Sequence, residues 1–158
     1  MTIEEQRFYI DCEFDGHGGP LISFAIVPER GSGLHITVID APPPNDPWVA
    51  ENVLPILNSH AACNAAGVPL LDVGEMLRGV IGDIPTTIIA DSPVDIGRFC
   101  EAISTNADGS WRSFGAPLIR FEVHNVDCYP TDLPGAVQHN AWWDAMALRH
   151  KLTTGHIQ

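Results

Sequence analysis

Positive charge is scarce in this sequence: eight Lys and Arg stand against twenty Asp and Glu, a formal net charge of -12. A surface that grips long nucleic acid along its phosphates needs clustered basic residues. Here they are scattered from Arg7 to Lys151 with no basic stripe, so an extended, sequence-independent DNA-binding surface is not expected. An acidic chain can still act on phosphates when divalent cations sit on its carboxylates, because the ions reverse the local field.

Other absences narrow the class further. No apolar run is long enough to cross a bilayer, and the first residues, Met1-Thr2-Ile3-Glu4-Glu5, do not read as a signal peptide. The expectation is a soluble cytoplasmic protein. Cysteine is sparse: Cys12, Cys63, Cys100 and Cys128 form no C-x-x-C pair for zinc or redox work and are expected as free thiols. There is no G-x-x-x-x-G-K-[ST] phosphate loop and no G-x-S-x-G elbow. Internal repeats and low-complexity segments are also missing. What remains is a chain of 158 residues, 45% apolar and 18% charged, which suits one domain with a proper core.

The chain alternates early. Phe8, Ile10, Cys12 and Phe14 fall on one side of residues 7–14, and Arg7, Tyr9, Asp11 and Glu13 on the other, as in a half-buried strand. Strands over 21–27 and 34–39 follow after turns rich in Gly, so an antiparallel meander opens the domain. Asp46-Pro47 predicts an N-cap and first helical turn, with Trp48, Val49, Val53, Ile56 and Leu57 at helical spacing. A second helix is read from Leu70, Val73, Leu77, Val80 and Ile81. Then come a strand over 86–90, a helix opened by Ser92-Pro93 and running to about Ile103, a strand over 118–123, and a last helix from near Asn140 to about Lys151. This order predicts an α/β domain with a mixed sheet flanked by helices.

Asp11 and Glu13, two apart on a strand, emerge from the same face. Two carboxylates within one ion's reach repel unless a cation fills the gap, and hard oxygen ligands suit Mg²⁺ or Mn²⁺. Alone, so short a motif describes a solvated strand face better than a site, with Tyr9 a half-exposed aromatic beside it. Asp95 falls at the third position of its helix, where a carboxylate complements the helix dipole without any further role. Asp91, at the end of the preceding strand, competes with it; either can point at the C-terminal sheet edge where ligands of α/β sheets gather. His139 and Asp144 would diverge by about 140° if both were helical. With Asn140 as N-cap, His139 stands outside the helix and can fold back over a site, although a lone His there is commonly a surface residue. Trp142, Ala145, Met146 and Leu148 are expected to pack that helix on the core.

The order of these residues is more telling than any one of them. Phe8-Tyr9-Ile10-Asp11-Cys12-Glu13-Phe14, the stretch from Ala90 to Phe99 around Asp95-Ile96-Gly97, and His139-Asn140-Ala141-Trp142-Trp143-Asp144-Ala145 resemble the DEDDh 3′→5′ exonuclease family, whose fold is RNase H-like. Trp48-Val49 and Val53-Leu54-Pro55 with Leu57 resemble its compact mycobacterial-type exoribonuclease branch. The resemblance implies metal binding by Asp11, Glu13, Asp95 and Asp144, with His139 as general base, and it selects Asp95 over Asp91. The sequence departs from the family where Asp91 and Val94 stand in place of Asn and Phe.

The expected reaction is hydrolysis of a single-stranded nucleic acid from its 3′ end, using two Mg²⁺ or Mn²⁺ ions and releasing nucleoside 5′-monophosphates. RNA is preferred over DNA on the resemblance alone, since no residue is identified that reads a 2′-hydroxyl. Phe14 is either a stacking surface for the terminal nucleotide or core. A homodimer is suggested only by the family; Trp111 and Phe114 fit core, loop or interface. The rivals are a single-stranded DNA exonuclease, a catalytically silent nuclease fold that binds RNA or protein, and a metal hydrolase of small phosphoesters.

Overall fold

The computed structural model describes residues 4–59, 64–115, 118–126 and 133–154. Cys63 and Cys128 lie outside them, as does the start of the chain; Cys12 and Cys100 are free thiols.

Strands β1 (Gln6–Phe14), β2 (Leu21–Pro28) and β3 (Leu34–Val38) form the antiparallel meander. Helix α1 (Pro47–Asn52) and a 3-10 turn at Leu54–Ile56 lead to β4 (Asn64–Val68), which pairs parallel with β3. After a second 3-10 turn come α2 (Val73–Ile81), β5 (Thr86–Ala90), α3 (Pro93–Ile103), β6 (Ile119–Val123) and α4 (Ala141–Thr153). The sheet order is β4-β3-β2-β1-β5-β6, with β5 parallel to both β1 and β6. This is the expected mixed sheet flanked by helices.

Two sequence expectations need correction. The helix after Asp46-Pro47 is shorter than its apolar spacing suggested, because Pro55 follows closely and the chain tightens into the 3-10 turn. Strand β4 was not foreseen: Asn64-Ala65-Ala66-Gly67-Val68 has little β-branched or aromatic character, and its place at the sheet edge comes from pairing with β3.

The alternation in β1 separates two cores rather than core from solvent. Phe8, Ile10 and Cys12 join Phe24, Ile26, Ile36 and Ile88 beneath Val73, Leu77 and Ile81 of α2 and Phe99 and Ile103 of α3. On the opposite face Tyr9 packs with Ile89 and Leu148, and Ala25 and Val27 with Ala141, Trp142 and Ala145. Tyr9 is therefore buried under α4 instead of half-exposed. Each fully buried large apolar side chain contributes roughly 1.5–3 kcal/mol.

Gly74 lets α2 and α3 approach closely, since a Cβ there would stand 2.0 Å from the Ala102 carbonyl oxygen. Trp111 and Phe114 are surface residues, and the Phe114 ring meets exposed Phe121 of the edge strand β6, with centroids 6.5 Å apart. Among the described residues no helix is long and apolar enough to cross a membrane.

Candidate metal centre

The site forms where β5 ends beside the middle of β1. Their parallel register pairs Tyr9 with Ile89, so two residues further along each chain Asp11 and Asp91 stand level. Ser92 then caps α3, accepting from the Val94 amide at 3.1 Å, and Pro93 starts it. One turn of helix carries Asp95 back beneath the sheet, where it is 4% exposed. Hydrogen bonds from the Cys12 backbone and thiol reach its carboxylate. Asp95 is thus held by the residue between Asp11 and Glu13.

From the other side comes α4. Asn140 caps it, its side-chain oxygen accepting from the Trp143 amide at 3.2 Å. His139, just outside the helix, has φ 59 and is the one non-glycine residue with positive φ among the described residues. That left-handed backbone is strained for a residue with a Cβ, and such strain concentrates at functional sites. Here it has a visible use: the backbone of His139 and of Asn140 hydrogen-bonds to the Asp144 carboxylate.

The result is two overlapping groups. Asp11, Glu13 and Asp144 bring carboxylate oxygens within 4.8 Å of one another, and so do Asp11, Asp91 and Asp95. Asp11 belongs to both. The structure therefore gathers all four acidic residues singled out in the sequence and adds Asp91, against the preference for Asp95 alone. The signal for Asp91 was its place at the end of β5; what the sequence lacked was the β1–β5 register.

So many acids in one place distort each other's titration. Burial holds Asp11 well above the usual carboxylate range, reinforced by Asp95, Asp144, Glu13 and Asp91. Burial, then Asp144 and Asp95, pushes Glu13 up to about 8. Asp95 is raised to about 7 by burial and the charge of Asp91, despite the Cys12 hydrogen bonds. Asp144 is also raised to about 7, chiefly by burial, with the backbone bonds from His139 and Asn140 opposing it. At neutral pH the protein alone cannot keep this set fully charged; a bound cation would relieve the conflict.

A neighbouring hydroxyl also suits a hydrated ion. Ser23 lies directly across from Glu13 on β2, fully buried, and its Oγ has no hydrogen-bond partner among the described residues. Such a group can take a hydrogen bond from an ion's water. All the ligands are oxygens, the donor set of a hard divalent cation.

The His139 and Phe14 side chains have different surroundings. The His139 ring meets Trp48 of α1 edge-on, with centroids 4.8 Å apart and planes at 83°. Phe14 packs against the α2/α3 core, and the Arg98 guanidinium lies 4.9 Å from its ring centroid. Arg98 also donates to the Gly19 carbonyl, tying α3 to the turn after β1. Neither a family model nor a curated protein matches the sequence.

Proposed function

We propose that this chain is a metal-dependent 3′→5′ exoribonuclease with an RNase H-like fold. The observation that carries the reading is the sharing of Asp11 by two acidic groups, with the His139 backbone bonded to a ligand of one of them. The strand run β3-β2-β1-β5-β6, a meander extended by two parallel strands, is compatible with that fold.

Asp11 would be the ligand common to two ions, with Glu13 and Asp144 completing one set and Asp91 and Asp95 the other. Bound Mg²⁺ or Mn²⁺ would polarise the scissile phosphodiester and make water a better nucleophile. His139, outside the helix with its backbone bonded to Asp144, takes the proton from the attacking water as general base. Attack in line with the leaving 3′ oxygen of the shortened strand releases a nucleoside 5′-monophosphate. The acidic surface beyond the site favours holding a few terminal nucleotides over tracking a long duplex. RNA as the polymer rests on the resemblance of the Trp48–Leu57 stretch to the compact exoribonuclease branch.

The test uses 5′-labelled single-stranded RNA and DNA of equal sequence with Mg²⁺, Mn²⁺ or EDTA. The expected result is a ladder shortening from the 3′ end of RNA, abolished by EDTA and by Asp11→Ala. Digestion of DNA alone would overturn the choice of polymer. No metal-dependent product from either would sink the enzymatic reading.

A further inference from the structure

The contact between Trp48 and His139 is part of a larger attachment. Segment 45–59 is fixed to the site region at several points. Asp15, buried one residue beyond β1, accepts from the backbone amides of Asn45 at 2.7 Å and Asp46 at 2.9 Å. Asp46 in turn accepts from the Trp48 amide at 2.9 Å, opening α1. The register of β1 and β2 shifts between Glu13 and Phe14, and Ile22, which falls in that irregularity, packs under α1 against Val49 and Val53.

The same segment also holds the start of α4. Asn140 Nδ2 donates to the carbonyls of Ile56 at 2.9 Å and Leu57 at 3.1 Å. Trp143 Nε1 donates to Ser59 at 2.8 Å. His139 thus lies between two anchored elements, with its own backbone in a strained conformation and one side of its ring against Trp48. An indole 49% exposed is not there to fill the core. It limits where the imidazole can swing.

We infer that Trp48 is a positioning residue for His139: its ring fixes the imidazole at the start of α4, beside the backbone that hydrogen-bonds to Asp144, without itself reacting. The inference rests on the proposed role of His139 as general base. Misplacing a reacting group by about 1 Å can cost ~100-fold in rate, so a small loss of ring alignment should be visible. The effect should fall on turnover, because Trp48 acts through a group that works in the transition state.

The experiment is a double-mutant cycle on single-stranded RNA with Mn²⁺, comparing wild type, Trp48→Ala, His139→Ala and the double variant, with Trp48→Phe as the conservative control. Trp48→Ala should lower kcat by ~10- to 100-fold with KM changed little, and Trp48→Phe should restore most of it. In the His139→Ala background, removing Trp48 should change kcat by less than about 3-fold. An equal kcat loss in both backgrounds, or a loss confined to KM, would overturn the positioning role and make Trp48 a structural or substrate-stacking residue. If wild type turns over RNA but His139→Ala does so equally fast, the general-base assignment fails first. Circular dichroism and thermal melting of each variant separate misfolding from either result; a folded Trp48→Ala variant with wild-type kcat also overturns the inference.

Discussion

Asp11, inside β1, stands level with Asp91, the residue after β5, two positions beyond the Tyr9–Ile89 pair, and their carboxylates meet in one group with Asp95. Asp11 reaches a second group with Glu13 and Asp144 as well. Substitutions should therefore divide by group. Asp11→Asn should remove high-affinity Mn²⁺ binding at both positions of a two-metal site, measured by isothermal titration calorimetry. Asp91→Asn and Asp95→Asn should each weaken one binding event and leave the other. Loss of both events in Asp91→Asn would mean that the two groups do not act as separate ion positions.

The raised carboxyl pKa values predict an unusual stability profile. Glu13 sits at about 8 and Asp95 and Asp144 at about 7, above the value of about 4 expected in the unfolded chain. Groups raised on folding bind more protons in the folded state between those limits. Their contribution is then fully present below about pH 4 and is lost as pH rises through 7 to 8. Melting in EDTA should show a falling Tm over that range, and Mg²⁺ or Mn²⁺ should restore more at pH 8 than at pH 5. A metal-induced shift that is the same at both pH values would contradict the crowding of these acids.

Asp15 should pull in the opposite direction. Its carboxyl is held below the usual range by backbone hydrogen bonds from Asn45 and Asp46. A group lowered on folding stabilises above its unfolded value and loses that effect as pH falls through the folded one. Comparing wild type with Asp15→Asn by thermal melting should show a difference at pH 6 that shrinks below about pH 4. A difference that does not change with pH would assign the role of Asp15 to shape rather than charge.

How much of this was legible in the sequence depends on whether the cause is local. Asp46, Ser92 and Asn140 were readable as caps because a cap needs only its own side chain and an amide two or three residues on. The β1 alternation was readable too, but it named two faces without saying that α4 covers the second. Residues brought together by pairing were out of reach: Asp91 enters through the β1–β5 register, β4 through its partner β3, and Trp48 through a ring contact with a residue far along the chain. Asp95 was ambiguous for a different reason. A carboxylate at a helix start serves the dipole equally well with or without an ion, and its place beside Asp11 and Asp91 comes from the fold rather than from its local sequence.

Asn140 joins helix capping to tertiary attachment, and the two can be separated. Asn140→Ala removes the acceptor for the Trp143 amide and the donor to Ile56 and Leu57 at a fully buried position. A loss of about 2–3 kcal/mol in urea denaturation is expected, combining a lost cap with stranded carbonyls. Asn140→Asp keeps the acceptor but not the donor, so it should recover the helix start without recovering the link to segment 56–57. Equal stability of the Ala variant and wild type would mean that neither bond contributes.

His139 sets stability against function most directly. At φ 59 its Cβ is crowded, whereas glycine adopts this backbone freely. His139→Gly should therefore be more stable than His139→Ala by about 1 kcal/mol, read as a higher urea midpoint at unchanged slope. Both variants lack the imidazole, so both should turn over RNA at least ~100-fold more slowly than wild type while still binding Mn²⁺. The comparison isolates what the strain supports: glycine relaxes the backbone and gains stability, yet it cannot recover the rate. Equal stability of the two variants would remove the strain argument. Restored turnover in His139→Gly would remove His139 from the chemistry.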